Sequence, residues 1–203
     1  CIYCMPEEGI RLTGYEMILR DYEILRICRV MAELGITRIK ITGGEPLVRR
    51  GVPELVRQIK EIPGIEKVTL TTNGILLKEQ MRALADAGLD SLNVSLDTRD
   101  RECFREITRR DLLDETLAGI EEAMKYSQVQ LKLNCVPLGI QEQNLCEIVE
   151  FAQKYPVHVR FIEMMPIGYG SSFEGMSQEK IVVLLEQKFG KLVPYEGKPL
   201  GNG

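Results

Sequence analysis

Two cysteines open the chain, and their spacing, Cys1-x-x-Cys4, suits two thiolates on one metal ion or cluster, or a redox pair. By itself the pair reads equally well as half of a zinc site or a thioredoxin-like couple. No second CxxC follows, which argues against a closed zinc site made from this chain alone. Cys28 and Cys146 fall in helical patterns, where a cysteine is ordinarily a small buried hydrophobe. Cys135 ends a strand-like run, where core packing is favoured over approach to a site. The one histidine, His158, cannot build a histidine-rich metal site and has no Ser or Cys partner in pattern, so a conventional hydrolase triad is disfavoured.

A second candidate is Gly43-Gly44-Glu45-Pro46, directly after the apolar run Ile39-Lys40-Ile41-Thr42. Paired glycines let backbone N–H and C=O groups approach a ligand, and Glu45 can accept a hydrogen bond from an amine or a ribose; the plainer alternative is a structural turn. The segment lacks the Walker pattern of a nucleotide phosphate loop. The third candidate is a set of cations inside strand-like runs: Lys40 among isoleucines, Lys132 between leucines, Arg160 between Val159 and Phe161. A parallel strand covered on both faces reads as a continuous apolar run, and a buried unpaired charge costs several kcal/mol. These cations therefore either reach solvent at strand ends, pair with a carboxylate such as Glu163, or line a lumen that takes a polyanion such as a triphosphate. Arg49 and Arg50 can touch a phosphate or be ordinary exposed arginines, and Asp97 to Arg101 reads as a solvated loop.

The elements that must position these residues are legible as an alternation. Strand-like runs are expected at Arg38–Thr42, Lys67–Thr71, Ser91–Ser95, Val129–Val136 and Val157–Ile162. Helical patterns fill the gaps: Tyr15–Leu34 closed by Gly35, Glu54–Glu61 behind Pro53, Lys78–Ala87 before Gly88, Asp114–Tyr126, Gln143–Lys154 and Ser177–Phe189. Repeated βα units imply a mostly parallel sheet flanked by helices. Gly43-Gly44, Asn73-Gly74, Ser95-Leu96-Asp97, Asn134-Cys135 and Glu163-Met164-Met165 all follow strands, so polar or glycine-rich chemistry recurs on one rim. Turn chemistry explains one such end; five in register favour a shared site at the C-terminal face of a βα barrel.

The 203 residues suffice for one domain with a sizeable core, and 44% hydrophobic with 28% charged residues is a globular composition. A formal net charge of -4 argues against nucleic acid as a partner. No apolar run has the length of a membrane span and the first residues lack a signal-peptide pattern, so no membrane partner is expected and a reducing, cytoplasmic setting is the default for the six cysteines.

The motifs taken together resemble a known family. Cys1-x-Tyr3-Cys4 looks like the last two cysteines of the C-x-x-x-C-x-x-C motif of radical S-adenosylmethionine (SAM) enzymes. The order GGEP, TTNG, NVSLD, a K-x-N strand and RFIEMMP is similar to the GTP 3',8-cyclases of molybdenum-cofactor biosynthesis, from Cys1 to about Gly168. GGEP alone indicates radical SAM; KITGGEPLVRRG with RFIEMMPIG is more specific. The resemblance implies an incomplete (β/α)6 TIM-type barrel, with a radical SAM core over 1–190 and the start of a C-terminal region over 191–203. It also implies a [4Fe–4S] cluster whose open iron chelates SAM. Reductive cleavage of SAM would yield a 5'-deoxyadenosyl radical that takes hydrogen from C3' of GTP, and the resulting radical would close onto guanine C8. By the same resemblance Cys1 and Cys4 bind the cluster; Tyr3, Gly44, Ser95 and Met165 contact SAM; Lys40, Thr71, Lys132 and Arg160 contact GTP. Relatives often have arginine at the Lys40 position, and lysine keeps the charge but loses the bidentate fork.

The pattern is also incomplete. The first cluster cysteine, an N-terminal substrate-binding arginine, a second [4Fe–4S] cluster and a C-terminal Gly-Gly tail have no counterpart in the sequence, and the polypeptide as written is expected not to turn over. A homodimer and a functional link to the next enzyme of the pathway, cyclic pyranopterin monophosphate synthase, are compatible with the resemblance. Two other readings stand beside it: a radical SAM enzyme acting on a peptide or small molecule, and a non-enzymatic CxxC module.

Overall fold

The computed structural model describes residues 1–9, 14–140, 143–194 and 196. Five strands lie within or one residue beyond the expected runs: β1 Arg38–Ile41, β2 Lys67–Thr72, β3 Ser91–Ser95, β4 Gln130–Cys135 and β5 His158–Phe161. They form one sheet in the order β1-β2-β3-β4-β5, every neighbour parallel. β1 and β5 each have a single neighbour, so among the described residues the barrel is open, as an incomplete TIM-type barrel requires. The helices are α1 Asp21–Glu33, α2 Val52–Lys60, α3 Leu77–Asp86, α4 Arg101–Thr108, α5 Leu113–Ala123, α6 Leu145–Lys154 and α7 Gln178–Phe189.

Strand register explains why charged residues sit among isoleucines and leucines. Lys40 is opposite Thr69, Thr69 opposite Ser91, and Ser91 opposite Gln130; one step on, Thr71, Asn93, Lys132 and His158 align, and beyond them Ser95, Asn134 and Arg160. Successive side chains alternate between faces, so these rows share one polar face. Val68, Leu70, Leu92, Val94, Leu131 and Leu133 occupy the other face and are buried. They join Ile59, Leu77, Met81, Leu84 and Ile120 of the surrounding helices in the main core. The sheet is therefore apolar toward its helices and polar toward its lumen, unlike a parallel sheet covered on both faces.

Two expectations need correction. The first helix does not run from Tyr15: a short 3-10 turn covers Tyr15–Met17, and α1 begins at Asp21. The Arg20 N–H donates to Glu23 Oε2 (2.7 Å), while Arg49 pairs with Asp21 and donates to the Leu19 carbonyl (2.9 Å), fixing the start there. Nor is Asp97 to Arg101 a solvated loop. Asp97 and Thr98 are buried, Asp100 accepts from the Cys103 N–H (2.8 Å) as an N-cap, and Arg101 begins α4. The other helix ends move by a few residues at most. The expected C-terminal region, 191–203, falls largely outside the described residues.

Candidate active site

The cysteine turn is the first component. The N–H groups of Cys4 and Met5 both donate to the Cys1 carbonyl (3.1 Å each), folding the two thiols onto one turn. That turn is held by α4, the helix not expected from sequence. Ile2 N–H donates to the Ile107 carbonyl (2.8 Å), and Arg109, left-handed at the helix end (φ 59°), donates from Nη1 to the Met5 carbonyl (2.9 Å). Cys1, Ile2 and Tyr3 pack on Cys103, Ile107 and Leu138.

Tyr3 then reaches inward. Its hydroxyl donates to Asp97 Oδ2 (2.8 Å), and the Val136 N–H donates to Asp97 Oδ1 (2.8 Å). Asp97 is 4% exposed. Burial pushes its carboxyl up from the usual carboxylate range, while the Val136 amide and the Tyr3 phenol pull the other way. Burial and the Asp97 charge push the Tyr3 phenol far up, so it stays protonated as a donor. Behind this pair Gln143, itself buried, donates to the carbonyls of Asp97 (3.0 Å) and Val136 (2.7 Å) and accepts from Leu138 N–H (2.8 Å). Sequence reasoning missed Asp97 and Gln143. Cys135 is fully buried beside them, its thiol pushed up chiefly by burial, and is a core residue as favoured.

The GGEP turn is the second component. Glu45 is spent on protein groups: it accepts from Leu47 N–H (3.0 Å), Thr72 hydroxyl (2.7 Å) and Asn73 N–H (2.7 Å). It ties the GGEP turn to the turn after β2, so the sequence suggestion that it accepts from a bound amine or ribose is replaced by a structural role. A Cβ built on Gly43 or Gly44 meets nothing within 4 Å, so the backbone there faces open space. Arg49 is committed to Asp21 and is not free for a phosphate; Arg50 is exposed.

Tyr3, Cys4 and Met165 line one cleft of about 420 Å³, with Met164, Glu163 and Tyr169. Gly44 and Ser95 follow or end β1 and β3 on the same rim but lie outside this cleft's lining. Glu163 lines the cleft and makes no ion pair with the strand cations.

Those cations converge at the other half of the lumen. Lys40, Lys132 and Arg160 line a small pocket of about 70 Å³ together with Lys67, which sequence reasoning did not single out. Arg160 donates to Asn134 Oδ1 (2.9 Å) and Asn93 Oδ1 (2.7 Å), and Asn93 donates to Thr71 Oγ1 (3.3 Å). Thr71 is thus joined to the pocket through Asn93. Lys132 is 5% exposed and makes no hydrogen bond or ion pair with a described residue. Burial first, then the charges of Arg160, Lys40 and Lys67, hold its pKa below the ordinary lysine value. Converging cations with neutral hydrogen-bond partners are suited to a polyanion.

The donor set allows a test for a metal cluster. Two thiols on one turn fit two ligands of an iron–sulfur cluster; among the described residues no group of three or more His, Cys, Asp or Glu side chains could hold a metal ion. The cysteine turn, the open glycine backbone and the parallel sheet define a cofactor-dependent βα-barrel core. A profile of the radical SAM superfamily matches residues 1–154, and the chain belongs to that superfamily. Membership implies a [4Fe–4S] cluster and SAM as cofactors. The chain is 42% identical to a GTP 3',8-cyclase of Thermodesulfovibrio yellowstonii, over 99% of this chain and 64% of the relative. It is 46% identical to one from Alkaliphilus metalliredigens, over 85% of this chain and 54% of the relative. It therefore spans less than two thirds of the length of these relatives. Streptococcus suis SuiB bound to S-adenosylmethionine superposes with a TM-score of 0.65 at 18% identity, over 85% of this chain and 40% of that one, a likeness of fold. No helix among the described residues is long and apolar enough to cross a membrane.

Proposed function

We propose that this chain forms the SAM- and triphosphate-binding core of a cytoplasmic GTP 3',8-cyclase of molybdenum-cofactor biosynthesis. The observation that carries the reading is Lys132, a buried cation without an acidic partner, in one pocket with Lys40 and Arg160 on the lumen face of a radical SAM sheet. The names of the relatives supply the nucleotide. When bound, the cluster and SAM together supply a hydrogen-abstracting 5'-deoxyadenosyl radical. Cys1 and Cys4 contribute two thiolates, and Tyr3, Gly44, Ser95 and Met165 line the approach of SAM. Lys40, Lys132 and Arg160 bind phosphates, with Thr71 positioned beside them. Because the cation pocket is also lined by Lys67, Ser91 and Gln130, the first residues of β2, β3 and β4, while the cysteine turn packs by the strands' C-terminal ends, the nucleotide lies along the lumen with its ribose toward that rim.

Cys1 and Cys4 supply two of the thiolates that such a cluster takes. A homodimer and hand-over of product to cyclic pyranopterin monophosphate synthase complete the reading. Calorimetric titration of the chain with GTP, GDP and guanosine tests the phosphate seat without any cluster. Affinity should fall in that order and collapse for GTP in Lys132→Ala. Guanosine binding as tightly as GTP would overturn it.

A further inference from the structure

The cation pocket contains one carboxylate, and its neighbour determines whether it matters. Among the residues lining the pocket, a space of about 70 Å³, Asp90 is the only acid. A free carboxylate there would oppose any polyanion. Asp90 is not free. Lys60, reaching from the C-terminal end of α2, donates to Asp90 Oδ1 (3.1 Å) and Oδ2 (2.9 Å), and its remaining proton goes to the Glu66 carbonyl (2.9 Å). Asp90 Oδ2 also accepts from the Val68 N–H (2.7 Å), which fixes the carboxylate at the β2–β3 edge. All three ammonium protons of Lys60 are spent, so it is not itself a phosphate ligand. Both side chains are largely covered, 25% and 29% exposed, so bulk solvent screens the pair only in part.

We infer that Lys60 is a specificity-determining positioning residue of the phosphate pocket: by neutralising Asp90 it leaves Lys40, Lys67, Lys132 and Arg160 unopposed and sets the preference for highly charged phosphates. Lys67 is a fourth cation of that seat. The inference rests on the proposal that this pocket receives phosphates. It has a signature that loss of structure cannot mimic. Lys60→Met leaves Asp90 charged and uncompensated, and Asp90→Asn leaves Lys60 as a surplus cation, so the two substitutions move affinity in opposite directions.

The experiment is calorimetric titration of the wild-type chain and these variants with inorganic triphosphate and inorganic monophosphate, at low and moderate salt. Lys60→Met should weaken triphosphate about tenfold and monophosphate about threefold. Asp90→Asn should tighten triphosphate about threefold, and the double variant should lie within about twofold of wild type. All differences should shrink with added salt. If the wild-type chain binds triphosphate but Lys60→Met does not change it, or Asp90→Asn weakens it, the inference is overturned while the phosphate seat stands. If the wild-type chain does not distinguish triphosphate from monophosphate, the seat fails and the inference with it.

Discussion

The Tyr3 hydroxyl donates to Asp97 Oδ2 at 2.8 Å, joining residues 94 positions apart. One lies between the two cysteines and the other just after β3, so the cysteine turn is keyed to the rim of the sheet by a buried hydrogen bond to a carboxylate. Hydrogen bonds to charged groups contribute about 1.5–3 kcal/mol. Tyr3→Phe should cost about 1–2 kcal/mol in chemical denaturation, and Asp97→Ala more, since it also strands the Val136 amide. A double-mutant cycle should give a coupling of the order of 1 kcal/mol. Additive effects would mean that the bond does not hold the turn.

Lys132 should trade stability for binding. Its folded-state pKa is held below the ordinary lysine value of 10.5. Between those two values the unfolded chain holds more protons than the folded one, so stability rises with pH across that window. Lys132→Met should therefore stabilise the fold at neutral pH, by an amount on the order of 1 kcal/mol, while removing triphosphate affinity. The stability gain should shrink as pH rises toward the ordinary lysine value, as measured by denaturant titrations at several pH values. A less stable Lys132→Met protein at neutral pH would show that the lysine is compensated.

Two glycines make opposite predictions. A Cβ at Gly44 meets nothing within 4 Å and its φ is not left-handed, so Gly44→Ala should leave the melting temperature nearly unchanged and reduce SAM binding in equilibrium dialysis. A Cβ at Gly119, in α5, would collide with the Gly74 carbonyl oxygen and sit 3.0 Å from Leu77 Cβ. Gly119→Ala should destabilise by about 1–3 kcal/mol even though alanine favours helix. An unchanged melting temperature for Gly119→Ala would contradict the close packing of α5 on the Asn73-Gly74 turn.

The strands were legible because each alternates, and the alternation of Lys132 with Leu131 and Leu133 also announced the polar lumen. α4 was not legible from its charges: Arg101, Glu102, Arg105 and Glu106 make it read as a solvated segment. Its buried residues, Cys103, Phe104 and Ile107, do follow helical spacing behind the Asp100 cap, a signal that could have found it. Asp97 could not have been placed, because the groups that bury and bond it, Tyr3 and Val136, are distant in sequence. Glu45 and Arg49 looked like ligand groups in a glycine-rich context, but both satisfy neighbouring turns. Lys40, Lys132 and Arg160 do line one cavity, and no acidic residue lies in their own strands to pair with them.

The central claim is that a SAM-derived radical and a GTP triphosphate seat meet in one lumen. The most direct test uses the full-length product of the gene, reconstituted with iron and sulfide without oxygen and reduced with SAM present. 5'-Deoxyadenosine and cyclised nucleotide are then quantified by mass spectrometry with and without GTP. The account predicts 5'-deoxyadenosine that depends on GTP, formed together with the 3',8-cyclised product, and loss of both in Lys132→Ala. Cleavage of SAM at the same rate without GTP, and no cyclised nucleotide with it, would contradict the account.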